Sequence, residues 1–165
     1  MKETNLFQKS LNIVQWKLNF TDKFIQPLLL LFIRAYIAKV FWLSGQTKIG
    51  NVENTKMLFE WEYMPNWEAN KTQSILGTDI TFPVPSIELA THMSILGETL
   101  LPILLVAGLG GRFAALGLFI MTLTIELFIY PGANEHPYWM LLLAVLMIIG
   151  PGKISLDYFI RKKLL

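Results

Sequence analysis

The run 139-WMLLLAVLMII-149 decides the fold class. A helix buried in a soluble bundle keeps a polar face for water, and this run offers none on any side. It lies inside the longest stretch without Asp, Glu, Lys or Arg, the 17 residues from His136 to Gly152. A hydrocarbon core of about 30 Å takes roughly 20 apolar residues of helix. Working outward, three further segments come near that length, so the expected spans are 25–44, 85–108, 112–131 and 137–152. The expected architecture is an all-α, antiparallel, up-down four-helix membrane bundle, one domain over residues 1–165. Amphipathic segments stand at both ends, and a long outer loop, 45–84, joins the first two spans.

Composition agrees. Of 165 residues, 53% are hydrophobic, 16% are charged and none is cysteine, with a mean hydropathy of +0.47. Soluble domains run at roughly 45–50% apolar and about 25% charged. These values exclude a disordered chain, a disulfide-stapled module, a thiolate metal site and a cysteine nucleophile. A net charge of +2 is too weak for a nucleic-acid partner, which needs a dense basic stripe.

Orientation follows from Lys and Arg outside the spans. With both termini cytoplasmic, the inner side holds nine: Lys2, Lys9, Lys17, Lys23, Arg112, Lys153, Arg161, Lys162 and Lys163. The outer side holds three, Lys48, Lys56 and Lys71. Both termini are therefore expected on the cytoplasmic side. Residues 1–24 lack the continuous apolar core of a signal peptide. Phe7, Leu11, Val14 and Leu18 share a helical face, which reads as a helix on the membrane surface; the alternative is a frayed basic tail. The closing segment 153-KISLDYFIRKKLL-165 has anchor chemistry for an anionic surface.

The connections differ in character. The stretch 108-GLGGR-112 reads as a tight helical-hairpin turn, since it follows no strand and lacks G-x-G-x-x-G. The loop 131-PGANEHP-137 is rich in turn formers. The outer loop mixes Phe59, Trp61, Tyr63, Trp67 and Phe82 with acidic residues, as an ordered cap at the interface would.

Ionisable residues at bilayer depth are costly and normally face the bundle interior. Arg34 and Glu98 both fall near the midplane and are the expected ion pair. Thr91, Ser94 and Glu98 share a stripe, with Glu88 and His92 on its flank, and Thr122 and Glu126 are one turn apart. Lys39 has Glu88 or Glu126 as candidate partners. Arg34, Lys39, His92, Glu98 and Glu126 thus form an expected polar pocket, set against a buried structural network with no chemistry. Glu88 also fits a helix first turn, where the dipole favours an anion. Trp42 and Trp139 read as an aromatic belt or as flanks for a flat ligand such as a quinone. His92, His136 and Glu126 have no recognised ligand spacing, so no metal is expected, and no catalytic triad context exists.

Three stretches carry a resemblance: 34-RAYIAKVFWLSGQTKI-49, 98-ETLLPILLVAGLGGRFAAL-116 and 150-GPGKISLD-157. Over about residues 27–158 the chain resembles the DoxX family of small four-helix bacterial membrane proteins. It departs from the usual pattern in its long outer loop and in Thr99 and Pro102. The resemblance implies Arg34, Glu98, Arg112 and Asp157 as the motif positions. It also implies association with quinone-, sulfur- or thiol-linked oxidoreductase systems, in company with a protein partner. Whether the chain is itself an enzyme is left open, as is homo-oligomerisation. Quinone is the cofactor considered. A non-enzymatic scaffold recruiting its partner through the outer loop or basic tail is the alternative.

Overall fold

The computed structural model describes residues 2–164, with side chains from Gln8 onward except Ser10 and Ile13. Phe7 of the expected amphipathic stripe lies outside the described side chains. Helix α1 (Lys2–Phe20) passes through a π-helical turn, Thr21–Ile25, into α2 (Gln26–Gly50) without an intervening loop. Pro27 lacks an N–H and crowds the carbonyl four residues back, and the widened turn before it absorbs that mismatch. Leu11, Val14, Trp16 and Leu18 are all exposed on α1.

The long connection after α2 is ordered. It contains α3 (Val52–Leu58), a π-helical turn at Phe59–Tyr63, α4 (Met64–Asn70) and an antiparallel hairpin of β1 (Thr72–Ile75) and β2 (Thr78–Thr81). The hairpin pairs Thr72 with Thr81 and Ile75 with Thr78. Its tip holds Leu76 at φ 52, a left-handed value rare outside glycine, with the side chain wholly exposed. Helix α2 runs six residues beyond the expected end of the first span, so this connection begins at Asn51, whose side chain caps α3.

Helix α5 (Ile87–Ala107) starts at a Ser86 cap and stops at Gly108 (φ 67), where Leu109 N–H bonds Leu104 O at 3.0 Å. That is a Schellman ending. Helix α6 (Gly111–Thr124) ends in a π-helical turn, Ile125–Ile129. Helix α7 (His136–Ile149) is closed by Gly150, and α8 (Leu156–Leu164) ends the described chain.

Helix α2 packs on α5, α5 on α6, α6 on α7, and α7 back on α2. Leu30, Ile33, Ile37, Ala38 and Phe41 meet Leu105, Ala114, Ala115, Leu118, Leu143 and Leu146 between them. Outside this core the helices stay apolar: Phe32, Met93, Leu96, Ile103, Phe113 and Ile148 are exposed. Three helical stretches, Val14–Gly50, Ile87–Ala107 and Gly111–Ile129, are long and apolar enough to cross a membrane. His136–Ile149 is apolar but shorter. The chain is therefore a mostly helical membrane protein.

Small residues set the helix spacing, as expected where lipid removes the hydrophobic drive between helices. A Cβ on Gly45 would stand 2.8 Å from the Glu98 carbonyl oxygen. Pro102 cannot donate to that carbonyl, so α2 approaches α5 where the α5 ladder is already open.

Candidate functional site

Charged side chains gather in two places, separated by about 21 Å along α2 between Arg34 and Lys48. At the end carrying the Gly108–Arg112 turn, Arg34 is fully buried. Its guanidinium donates to the carbonyls of Leu105 (3.5 Å), Val106 (3.1 Å) and Ile154. The carbonyls at the end of a helix lack intrahelical partners, so Arg34 serves as a long-range cap on α5 while holding the segment after α7.

The same turn is fastened from α8. Asp157 accepts from Gly110 N–H at 2.8 Å and Gly111 N–H at 3.0 Å, and its own N–H donates to Gly108 O at 2.9 Å. Arg112 donates to the carbonyls of Ile148 (3.1 Å) and Ile149 (3.4 Å), closing α7. Ser155 donates to Gly152 O and accepts from Tyr158 N–H. Gly108 must be glycine here, since a Cβ would lie 2.4 Å from Arg34 Nη1.

At the other end, charges meet charges. Lys48 Nζ lies 2.6 Å from Glu98 Oε2 and donates to Ser44 Oγ at 2.8 Å, while Ser94 donates to Glu98 Oε1 at 3.3 Å. Both Lys48 and Glu98 are buried. Thr91, two turns along the same stripe, is fully buried and its hydroxyl has no partner among the described residues. Nearby, Glu126 binds His136 Nδ1 at 2.7 Å with one oxygen and Gly132 N–H at 2.8 Å with the other.

The long connection after α2 is fastened over this end by side-chain amides. Asn66, Asn70 and Gln73 donate to the carbonyls of Ile129 (3.1 Å), Phe128 (3.4 Å) and Leu127 (3.2 Å). Trp67 stacks on Phe128 with centroids 4.7 Å apart, and Tyr130 donates to Glu62. Burial pushes the Tyr63 phenol above its ordinary value, and the Glu98 and Glu62 carboxylates push in the same direction.

Several expected partnerships are replaced. Arg34 and Glu98 do not pair: backbone carbonyls take the guanidinium, and Lys48 takes the carboxylate. Lys39 is exposed on the outward side of α2 and makes no ion pair or side-chain hydrogen bond among the described residues, so neither Glu88 nor Glu126 neutralises it. His92 is exposed and its ring bonds Glu88 O at 2.7 Å. Trp42 faces outward, and the rings beside Trp139 are those of His136 and Phe41, with centroids 5.4 and 6.0 Å away. Arg34, Lys39, His92, Glu98 and Glu126 therefore do not line one pocket.

Lys48, counted from the sequence as an outer loop charge, is the residue missed. Its signal was the stripe Arg34, Phe41, Gly45 and Lys48, whose spacings of seven, eleven and fourteen keep one helical face. Among the described residues no cluster of three or more His, Asp or Glu could hold a metal ion.

A DoxX family model matches residues 29–131. The chain belongs to the DoxX family. The DoxX match takes in Arg34, Glu98 and Arg112 and stops before Asp157, although Asp157 closes the same turn that Arg34 and the Gly108–Arg112 segment build. No curated protein and no solved structure matches the chain significantly.

Proposed function

We propose that this DoxX protein is an accessory subunit of a quinone-, sulfur- or thiol-linked redox system that recruits a partner protein and leaves the reaction to it. The chain forms an antiparallel four-helix bundle in a bacterial inner membrane, both termini cytoplasmic. The short α7 completes its crossing with the residues that flank it. The observation carrying this reading is the contrast between Lys39 and the charges that the chain itself pairs. Arg34, Lys48, Glu98 and Glu126 are held by groups of the same chain, whereas Lys39 projects outward from α2, about 20 Å from its start. A lysine facing hydrocarbon is costly, and a carboxylate on a neighbouring protein relieves that cost. Trp61 and Leu76, both strongly exposed on the outer cap, add an apolar contact surface.

The test is affinity purification from native membranes. Lys39→Leu and a deletion of residues 51–80 are each expected to lose the co-purifying partner while the spans remain inserted. Full recovery of every partner from both variants contradicts the proposal. Because the chain has no cysteine, single substitutions report topology cleanly. Ser74→Cys should react with an impermeant maleimide from outside, and Lys162→Cys only after permeabilisation.

A second reading places a quinone or small anion beside Lys48 and Glu98. The unpartnered buried Thr91 hydroxyl and Trp67 indole N–H favour it, since buried polar groups normally find a partner. Lipid extraction of the purified protein tests it: reproducible recovery of quinone supports this reading, and its repeated absence removes it.

A further inference from the structure

A groove of about 540 Å³ opens at the end of the helices that carries the Gly108–Arg112 turn. Pro27 and Leu30 of α2, Ile149 and Pro151 at the close of α7, and Phe113 give it an apolar floor and wall. Three cations line it, Arg112, Lys153 and Arg161, against one carboxylate, Asp157. Both Asp157 oxygens already accept main-chain N–H groups, from Gly110 and Gly111. Lys153 donates to the Asp22 carbonyl at 2.9 Å and Arg112 to those of Ile148 and Ile149. None of the three cations pairs with a carboxylate among the described residues.

We propose that this groove binds the phosphate headgroup of an anionic phospholipid. The three cations face the phosphate, and the acyl chains run over Phe113 and Ile148, which are 81% and 77% exposed. The site rests on the reading that these helices cross a membrane, because that reading puts the groove at headgroup level on the cytoplasmic side. Basic pockets between spans on that side have this chemistry. A free phosphate would share the cations but gain nothing from the apolar wall, so the lipid is the favoured source of the anion.

Native mass spectrometry of the delipidated protein in a nonionic detergent tests the site, with phosphatidylglycerol, phosphatidylcholine and inorganic phosphate added in turn. Phosphatidylglycerol should be retained about 10-fold more strongly than phosphatidylcholine, and inorganic phosphate should not displace it. K153Q/R161Q should weaken retention on the order of 10-fold or more, since each cation near such a surface is worth about 5-fold. K162Q/K163Q removes two cations of α8 that do not line the groove and should change retention by less than about 2-fold. The charge-preserving K153R/R161K should retain the lipid. Should the double glutamine variant fail to fold, R161Q alone, on the exposed face of α8, should still lose about 5-fold. Equal losses from the two pairs of substitutions, equal retention of the two lipids, or displacement by inorganic phosphate would each overturn the proposal. None of these readouts depends on a protein partner, so the lipid site and the partner reading fail separately.

Discussion

The two ends of this DoxX protein hold their charges by different means. Around the Gly108–Arg112 turn, Arg34, Arg112 and Asp157 bond to main-chain groups. Beneath the cap, Lys48 bonds Glu98 side chain to side chain, and Glu126 divides its oxygens between the His136 ring and the Gly132 N–H. A charge on main-chain carbonyls fixes the path of the chain, and no second substitution can remove the groups it leaves behind. A charge on another charge can be deleted together with its partner. The first end should therefore resist repair, and the second should allow it.

The largest effect is expected for Arg34→Gln, which takes the side-chain donor from the carbonyls of Val106 and Ile154. The cost is about 3–5 kcal/mol, read as a fall in melting temperature in detergent and in membrane abundance. Arg34→Lys should recover little, since one ammonium cannot replace a planar fork reaching two segments. Lys48→Met comes next at about 3 kcal/mol, because it strands a buried carboxylate. Adding Glu98→Leu should return most of that loss. A double variant no better than the single would break the comparison at the Lys48–Glu98 end.

Asp157→Asn should cost about 1.5–3 kcal/mol by weakening the charge-assisted bonds to Gly110 and Gly111. An equally large loss in chains already carrying Arg34→Gln would show that the two residues act independently, and would sharpen the description of that end as separate caps. The smallest effect concerns pH. Tyr63 keeps its proton in the folded cap to a higher pH than in the unfolded chain. Its contribution is fully present below the ordinary tyrosine value of about 10 and is lost as pH rises from there through the folded value. Thermal melts across that range should decline for the parent and decline less for Tyr63→Phe.

Much of this was legible in the sequence because lipid solvation is read from composition alone. The apolarity of the run from Trp139 to Ile149 needs no tertiary information, although its helix is shorter than the three that are long enough to cross, and the glycines at 108 and 110 announce a turn before any helix is packed. Partner choice between the packed helices was less legible. Depth along separate helices matched Arg34 with Glu98, but depth ignores which way a side chain leans. Residues on α2 lean toward its N-terminal end, which carries the Arg34 guanidinium to the α5 carbonyls and leaves Glu98 for Lys48. The exposure of Lys39 was hidden for a related reason, since α2 is apolar on nearly every side and its hydrophobic pattern does not mark an inner face. The cap was legible as ordered from its aromatics. Its fastening by Asn66, Asn70 and Gln73 was not, because the carbonyls they satisfy become available only where the helix after Thr124 ends.

Among the described residues neither end absorbs Lys39 of α2 or Glu88 in the first turn of α5, and the accessory-subunit reading depends on Lys39. Site-specific photo-crosslinking tests this most directly, with a benzophenone amino acid introduced at position 39 and, separately, at the buried position 37, in native membranes. The account predicts a discrete protein adduct from position 39, larger than the chain itself, and intramolecular products alone from position 37. Lipid adducts alone from position 39, with no protein band, would contradict it.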